Sequence, residues 1–396
     1  DGPFYEMKTV EEARAFVQKQ LPFKPDFIKV WYIVRGSNTD SAARLHLPLV
    51  KAVIDESHRN GLRVAVHATE RITAQLAVEA GADFLVHGIE DEPVDAAFVQ
   101  LLKRKGTVLS PTLVVVDNYR RSFAQEYEVK PHDFTYAHPT PLNSIIDLKS
   151  IPDTNLTKRY RNYVQSNRAN AEKEDSVLRV NLKRLADGGV IIATGTDAGN
   201  IGTQHASSYF DELQAMRNSG LNMWQLLQAS TINGARAVGR EKEFGSLKAG
   251  KRADMLLLNG NPLDNLANWS DIDWVISRGE AIKPQAVRST TAVELADQQL
   301  LAYNAHNLDA FLEPYADDVE VYAFPDRLEM KGKEQMRKAY QFINTTPKLY
   351  CRLINRMVQG NLVIDHEEVW GFGDKPFYGL AIYEIKNGKI QKVFFP

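Results

Sequence analysis

Between Phe27 and Gly220 the sequence switches repeatedly between a short apolar run and an amphipathic helical stripe, and few folds accommodate that alternation. FIKVW is followed by a stripe of Leu49, Val50, Val53 and Ile54 that Gly61 ends. LRVAVHA then reads as a strand, ITAQLAVEAG as a helix closed by Gly81, and DFLVHG as a strand. Asp91-Glu92-Pro93 reads as a cap with proline in the first turn. The helix it opens buries Phe98, Leu101 and Leu102 and stops at Gly106. TVLSPTLVVV is a further strand; a helix over 175–185 leads to GGVIIATGTDAG, and Phe210, Leu213 and Met216 mark one more helix before Gly220. Strands alternating with helices at this pace form parallel βαβ units with right-handed crossovers. Five such strands suit either a barrel or an open doubly wound sheet.

Lys29 interrupts the first run, PDFIKVWYIV. A continuous apolar run marks a strand covered on both faces, where a bare ammonium is poorly solvated. Burial drives such a lysine toward its neutral amine or toward a partner, so Lys29 is either half of a structural ion pair or a group with chemistry to do. Three further polar residues close strands: His67 ends LRVAVHA, His87 ends DFLVHG, and Asp197 lies just beyond VIIATG. In a parallel α/β barrel the carboxyl ends of the strands carry the chemistry. One strand-end histidine is usually a hydrogen-bonded core residue; two on consecutive strands, with a carboxylate beyond, form a zinc-type ligand set.

Composition narrows the class. At ~150 residues per domain, 396 residues make two or three domains. With 48 basic and 50 acidic residues the chain has no charge excess that calls for nucleic acid or a membrane surface. Cys351 is the single cysteine, which rules out an intramolecular disulfide and a cysteine-rich metal site and leaves the compartment open. No apolar run approaches the ~18 residues of a membrane span. The opening DGPFYEMKTVEEARAF carries neither an initiator methionine nor a signal peptide and is expected to start partway through a longer protein.

FIKVW, VHA, LVHG and GTDAG, followed by ASTINGARAVGR and FGSLKAGKRADMLLLNGNPLD, resemble the metal-dependent amidohydrolase superfamily, in its imidazolonepropionase-like and prolidase-like branch. The resemblance covers residues 1–283. It implies an α/β fold: an incomplete (β/α)8 barrel holding strands four to eight over 1–243, then a β-sandwich return segment over 244–283. It also implies that Lys29, on the fourth strand, is carboxylated and bridges two divalent metals, zinc by type. Conversion of the cation to an anionic oxygen donor removes the burial problem. By the same resemblance His67 and His87 are ligands of the second metal, while Asp197 binds the first metal and acts as general base in hydrolysis of a C–N bond. The small-molecule substrate would be an amide, cyclic amide or dipeptide. The family's His-x-His pair on the first strand has no counterpart, since no two of the nine histidines stand two apart. The expectation is therefore an incomplete binuclear site, with the missing strands outside this sequence.

Smaller candidates surround the strand ends. Arg35 follows the lysine strand, His205 follows GTDAGNIGTQ, and Tyr119 lies in a long aromatic and basic excursion over 117–161; each is a candidate for substrate contact. Such an insertion is typical of a lid or substrate wall, and its aromatics equally suit packing of the insertion on itself. Residues 284–291 read as a polar linker. NAHNLDAFLEPYADDVE and the closing IKNGKIQKVFF resemble the nuclear-transport-factor-like, ketosteroid-isomerase-like and SnoaL-like α+β cone over 292–396, with Asn387-Gly388 as a hairpin signal. Gln299 and either Ala323 or Phe324 stand where the isomerases carry their tyrosine and aspartate, so a binding or dimerisation module, and with it a homo-oligomer, is the better expectation. Two functions stay open: a metal-dependent C–N hydrolase, or a catalytically incomplete binding and assembly protein on the same scaffold.

Overall fold

The computed structural model describes the chain except residues 1–4, 35, 37, 153, 167, 288 and 289. Among the described residues, five strands form one wholly parallel sheet: β1 (Phe27–Trp31), β2 (Arg63–His67), β3 (Phe84–Val86), β4 (Val108–Ser110) and β5 (Ile191–Ile192), paired in chain order. Helices Thr39–Arg59, Arg71–Ala80, Ala96–Lys105 and Arg168–Asp187 connect them. Gly81 and Gly106 end two of these helices in left-handed backbone, a conformation glycine adopts without steric cost. On one face of the sheet Val30, Val64, Val66, Leu85, Leu109 and Ile192 join helix residues such as Ile54, Phe98, Leu102 and Leu185 in a single core. Each such side chain contributes roughly 1.5–3 kcal/mol by leaving water. The other face carries a small cluster of Ala65, Phe84, Val108 and Ala193.

That second face corrects the reading of the lysine strand. In β1, Phe27, Lys29 and Trp31 are exposed while Val30 is buried, so the strand is covered on one face only. β1 is an edge strand, and a continuous apolar run does not reveal whether anything lies over it.

Two element boundaries also differ from expectation. The helix placed after Asp91 starts at Ala96, capped by Asp95, whose carboxylate accepts from the Phe98 N–H at 2.7 Å. Asp91 instead accepts from the Arg71 N–H at 2.9 Å, at the start of the preceding helix. The run TVLSPTLVVV is a strand only to Ser110; Val115 already belongs to the helix Val115–Phe123, where tertiary context overrides β propensity.

The chain divides into two units. The first comprises Asp1–Val115, Gln165–Asp197 and Tyr209–Pro284. It includes a three-stranded antiparallel sheet of β6 (Met255–Leu258), β7 (Ile272–Ser277) and β8 (Glu280–Ile282). The second comprises Val116–Val164, Ala198–Ser208 and Gln285–Pro396. Its sheet contains β9 (Tyr315–Ala323), β10 (Arg327–Lys331), β11 (Tyr350–Gln359), β12 (Leu362–Trp370), β13 (Phe377–Lys386) and β14 (Lys389–Phe395), in the order β10-β9-β14-β13-β12-β11. The helix Ala292–Asn304, started by a capping box of Thr291 and Glu294, buries Leu295 and Ala296 against Phe311, Tyr315, Val363 and Tyr383. Asn387 and Gly388 both have positive φ, as a two-residue hairpin turn requires.

Grouping by contact therefore cuts across the chain order. Within the second unit the insertion's Tyr127, Ala137, Leu142 and Ile146 pack with Leu301 of the helix Ala292–Asn304, so part of the insertion is packed on the carboxyl-terminal segment. A buried ionic network reinforces this. Arg356 donates to both oxygens of Asp365 at 2.6 and 2.7 Å and to Asp297 Oδ1 at 2.6 Å. Thr140 donates its hydroxyl to Asp297 Oδ2, and Asn143 Nδ2 donates to the Asp297 carbonyl at 3.0 Å. Gln299 is buried and donates to the Tyr383 hydroxyl at 3.0 Å. Among the described residues no helix is long and apolar enough to cross a membrane.

Candidate metal centre

Parallel register places the candidate residues before their side chains are considered. Lys29 pairs with Ala65 and Trp31 with His67, so His67 closes β2 beside Trp31 while Lys29 stands at the middle of β1. His67 is in register with Val86, and His87 is the next residue after β3. The two imidazole rings lie 4.0 Å apart between centroids, and the Trp31 ring is 5.2 Å from His67.

His87 is held at its backbone and at one ring nitrogen. Its backbone N–H donates to the Ser110 carbonyl at 2.9 Å, and its φ of 79° turns the chain sharply at the strand end. Its Nδ1 lies 2.6 Å from Thr112 Oγ1. Its Nε2 is buried and has no hydrogen-bond partner among the described residues. Burial, together with the nearby Lys29 charge, pushes the His87 pKa down to about 4. The ring is therefore neutral at pH 7, the form in which imidazole binds metals.

Behind this pair stands a buried acid that the sequence pattern did not single out. Glu212 is fully buried and accepts from the Leu113 N–H at 3.0 Å and the Val114 N–H at 3.2 Å. Burial raises its pKa to about 8, with the two amides pulling the other way. Glu212 stands four residues before the buried Met216, on the same helix face, and that spacing was a readable signal. Thr112 had none, hidden inside a run that reads as strand.

Lys29 is exposed, and its charge reaches His87. Asp197 follows β5 by five residues with a φ of 56°. Gly195 precedes it; a Cβ there would meet Ser110 Oγ at 2.2 Å, so a residue without a side chain lets the loop pass. The structure thus brings His67 and His87 together, with Lys29 near enough to act on His87. Asp197 does not join them in a ligand group: among the described residues no three His, Cys, Asp or Glu side chains are placed to hold a metal. His205 is exposed and belongs, with Tyr119, to the second unit. Arg35 lies outside the described residues. The two histidines fit one divalent ion, on the strength of their adjacency and the unpartnered Nε2; the described residues do not close a binuclear centre.

The sequence profile described as "Amidohydrolase family" matches residues 7–282, and that described as "SnoaL-like domain" matches residues 296–393. An imidazolonepropionase of Syntrophobacter fumaroxidans is 42% identical over 79 residues, which are 20% of this chain and 18% of that protein. A 5-methylthioadenosine/S-adenosylhomocysteine deaminase of Moorella thermoacetica is 31% identical over 137 residues, covering 30% of this chain and 32% of its own length. The matches thus span a third or less of these curated relatives. Among solved structures, a prolidase from Bifidobacterium longum described as putative superposes with a TM-score of 0.51 at 22% identity, covering 71% of this chain and 62% of that one. A Xaa-Pro dipeptidase with methionine bound in its active site gives a TM-score of 0.50 at 22% identity, over 70% and 59%. At this identity the two structures show a shared fold.

Proposed function

Because the chain belongs to the amidohydrolase family, we propose that it takes part in hydrolysis of a C–N bond in a small amide, cyclic amide or dipeptide, with a divalent metal held at His67 and His87. The observation that carries this reading is the state of His87: buried, neutral, fixed at Nδ1 by Thr112, and with Nε2 unpartnered among the described residues. Imidazolonepropionase and deaminase relatives support a C–N bond as the one cleaved. Two imidazoles suit zinc.

A bound ion would supply Lewis acidity at the scissile carbonyl. His67 and His87 would hold it as neutral donors. Lys29, in ammonium form, repels a cation; as a carbamate it would offer an oxygen donor, and its exposure leaves Nζ open to carbon dioxide. Asp197 would take the proton of the attacking water at its carboxylate and return it to the leaving nitrogen. A second metal would need donors beyond those the described residues bring together. In this reading residues 1–243 form the barrel part, 244–283 its return segment, 284–291 a linker, and 292–396 a module for binding or dimerisation.

The test is metal content and a hydrolysis screen of the full chain on amides and dipeptides with added zinc, beside His87→Ala and Asp197→Asn. The proposal expects turnover that chelation removes and that either substitution lowers at least a hundredfold. Turnover indifferent to chelator and to both substitutions would refute it. A second reading, a binding and assembly protein without catalysis, is favoured by the lack of a third ligand in the described group. It predicts zinc binding with no turnover on any amide screened.

A further inference from the structure

Thr112 is a β-branched residue at φ 47°, a backbone region that such side chains seldom occupy. Something must hold it there, and the next two residues show what does. The Leu113 and Val114 N–H groups both point at the Glu212 carboxylate, and no salt bridge to Glu212 is found among the described residues. A left-handed residue followed by two amides converging on one acceptor group is a compact backbone nest. Here the acceptor is a side-chain carboxyl of the protein, anchored in the helix Ser207–Asn218 and fully buried.

The opposite segment is fixed as firmly. The His87 N–H donates to the Ser110 carbonyl at 2.9 Å and the Gly88 N–H to the Pro111 carbonyl at 3.0 Å, so residues 87–88 are zipped to residues 110–111 by backbone alone. A Cβ on Gly88 would meet Leu178 Cδ2 at 2.6 Å, which confines the turn further. Between the two segments the Thr112 hydroxyl meets His87 Nδ1 at 2.6 Å.

We infer that Thr112 and Glu212 form a positioning unit for His87: Glu212 holds the nest, the nest holds Thr112, and Thr112 accepts the Nδ1 proton so that Nε2 presents its lone pair. Hydrogen bonding selects this tautomer over its alternative. With the proton on Nε2, a buried N–H would lack an acceptor among the described residues. With the proton on Nδ1, the Thr112 hydroxyl accepts it and no buried N–H is left without a partner. A second hydrogen bond that fixes tautomer and ring angle is the general way a ligating histidine is tuned. The use made of the lone pair rests on the metal reading above; the tautomer and its cause do not.

Two measurements on the full chain separate the claims. Long-range nitrogen–proton NMR spectra of metal-free, histidine-labelled protein at pH 7, assigned with His87→Asn, report the His87 tautomer. Cobalt(II) titration reports affinity for the probe ion. The expected results are an Nδ1–H tautomer in the wild type and a shift toward Nε2–H in Thr112→Val, with cobalt affinity lowered ten- to a hundredfold. Thr112→Ser, which keeps the hydroxyl, should restore both, and Glu212→Gln should move both in the Val direction by a smaller factor. A wild type with Nε2–H, or a Thr112→Val protein unchanged in tautomer and affinity, would overturn the positioning unit. If Thr112→Val does not fold, the wild-type tautomer together with the Ser and Gln variants decides. Cobalt binding that ignores His67→Ala and His87→Ala would sink the metal reading and leave the tautomer result to judge this inference.

Discussion

The two principal sheets bury polar groups in opposite ways. In the six-stranded sheet the buried charge is paired: Arg356 of β11 spans Asp365 of β12 and Asp297 of the helix Ala292–Asn304, in a network whose side chains are 12%, 1% and 5% exposed. In the parallel sheet the strands themselves are apolar on their packed face, and the unusual groups stand just past the strand ends. There, His87, Thr112 and Asp197 have left-handed backbone, His87 Nε2 is unpartnered among the described residues, and Glu212 is buried against amides alone. Paired charge holds a structure together, whereas strained backbone and an unpartnered ring nitrogen carry a cost that packing does not explain. The difference supports the proposal of a site at the strand ends and sets the Arg356 network apart as architecture.

Arg356→Met strands two buried carboxylates and should cost about 3–5 kcal/mol, read by hydrogen exchange along β11 and β12. Changing Arg356, Asp297 and Asp365 together to apolar residues should cost much less. A single substitution as mild as the triple one would mean that Arg356 does not compensate the two carboxylates. Next, Leu301→Ala should cost about 2–5 kcal/mol and open the insertion around Leu142 and Ile146 to protease, because the leucine's buried contacts lie there.

A smaller effect concerns pH. The folded-state pKa of His87 lies below its ordinary value of 6.5, at about 4, so the unfolded chain binds the extra proton first. Stability of the metal-free protein is then fully present above pH 6.5 and falls as pH drops toward 4, by up to roughly 3 kcal/mol from this group. His87→Leu should flatten that slope in denaturation curves taken between pH 7 and 4; an unaltered slope would place the titration elsewhere. Smallest of all, Arg44→Ala removes an exposed pair with Asp40 and should leave the melting temperature unchanged within error.

What could be read from the sequence follows the range of the interaction involved. The glycine stops at Gly81 and Gly106 and the Asn387-Gly388 turn are local, and the structure has each where the pattern put it. His67 and His87 stood out because strand ends can be located from strand patterns. The open face of β1 could not be read, since cover over an edge strand depends on distant residues. The insertion's aromatics read as a lid or as packing of the insertion on itself, and Leu301 joins that packing from more than a hundred residues away. Thr112 escaped because its left-handed backbone is imposed by Glu212, a hundred positions further along.

The strand-end histidines are proposed as a metal site. Anomalous diffraction from crystals of the full chain soaked in zinc tests it most directly. The expected result is a peak roughly 2.0–2.1 Å from His87 Nε2 and from a His67 nitrogen, with Thr112 still bonded to Nδ1. Crystals whose zinc peaks all lie away from these two side chains, with His87 Nε2 making a hydrogen bond to protein instead, would contradict it.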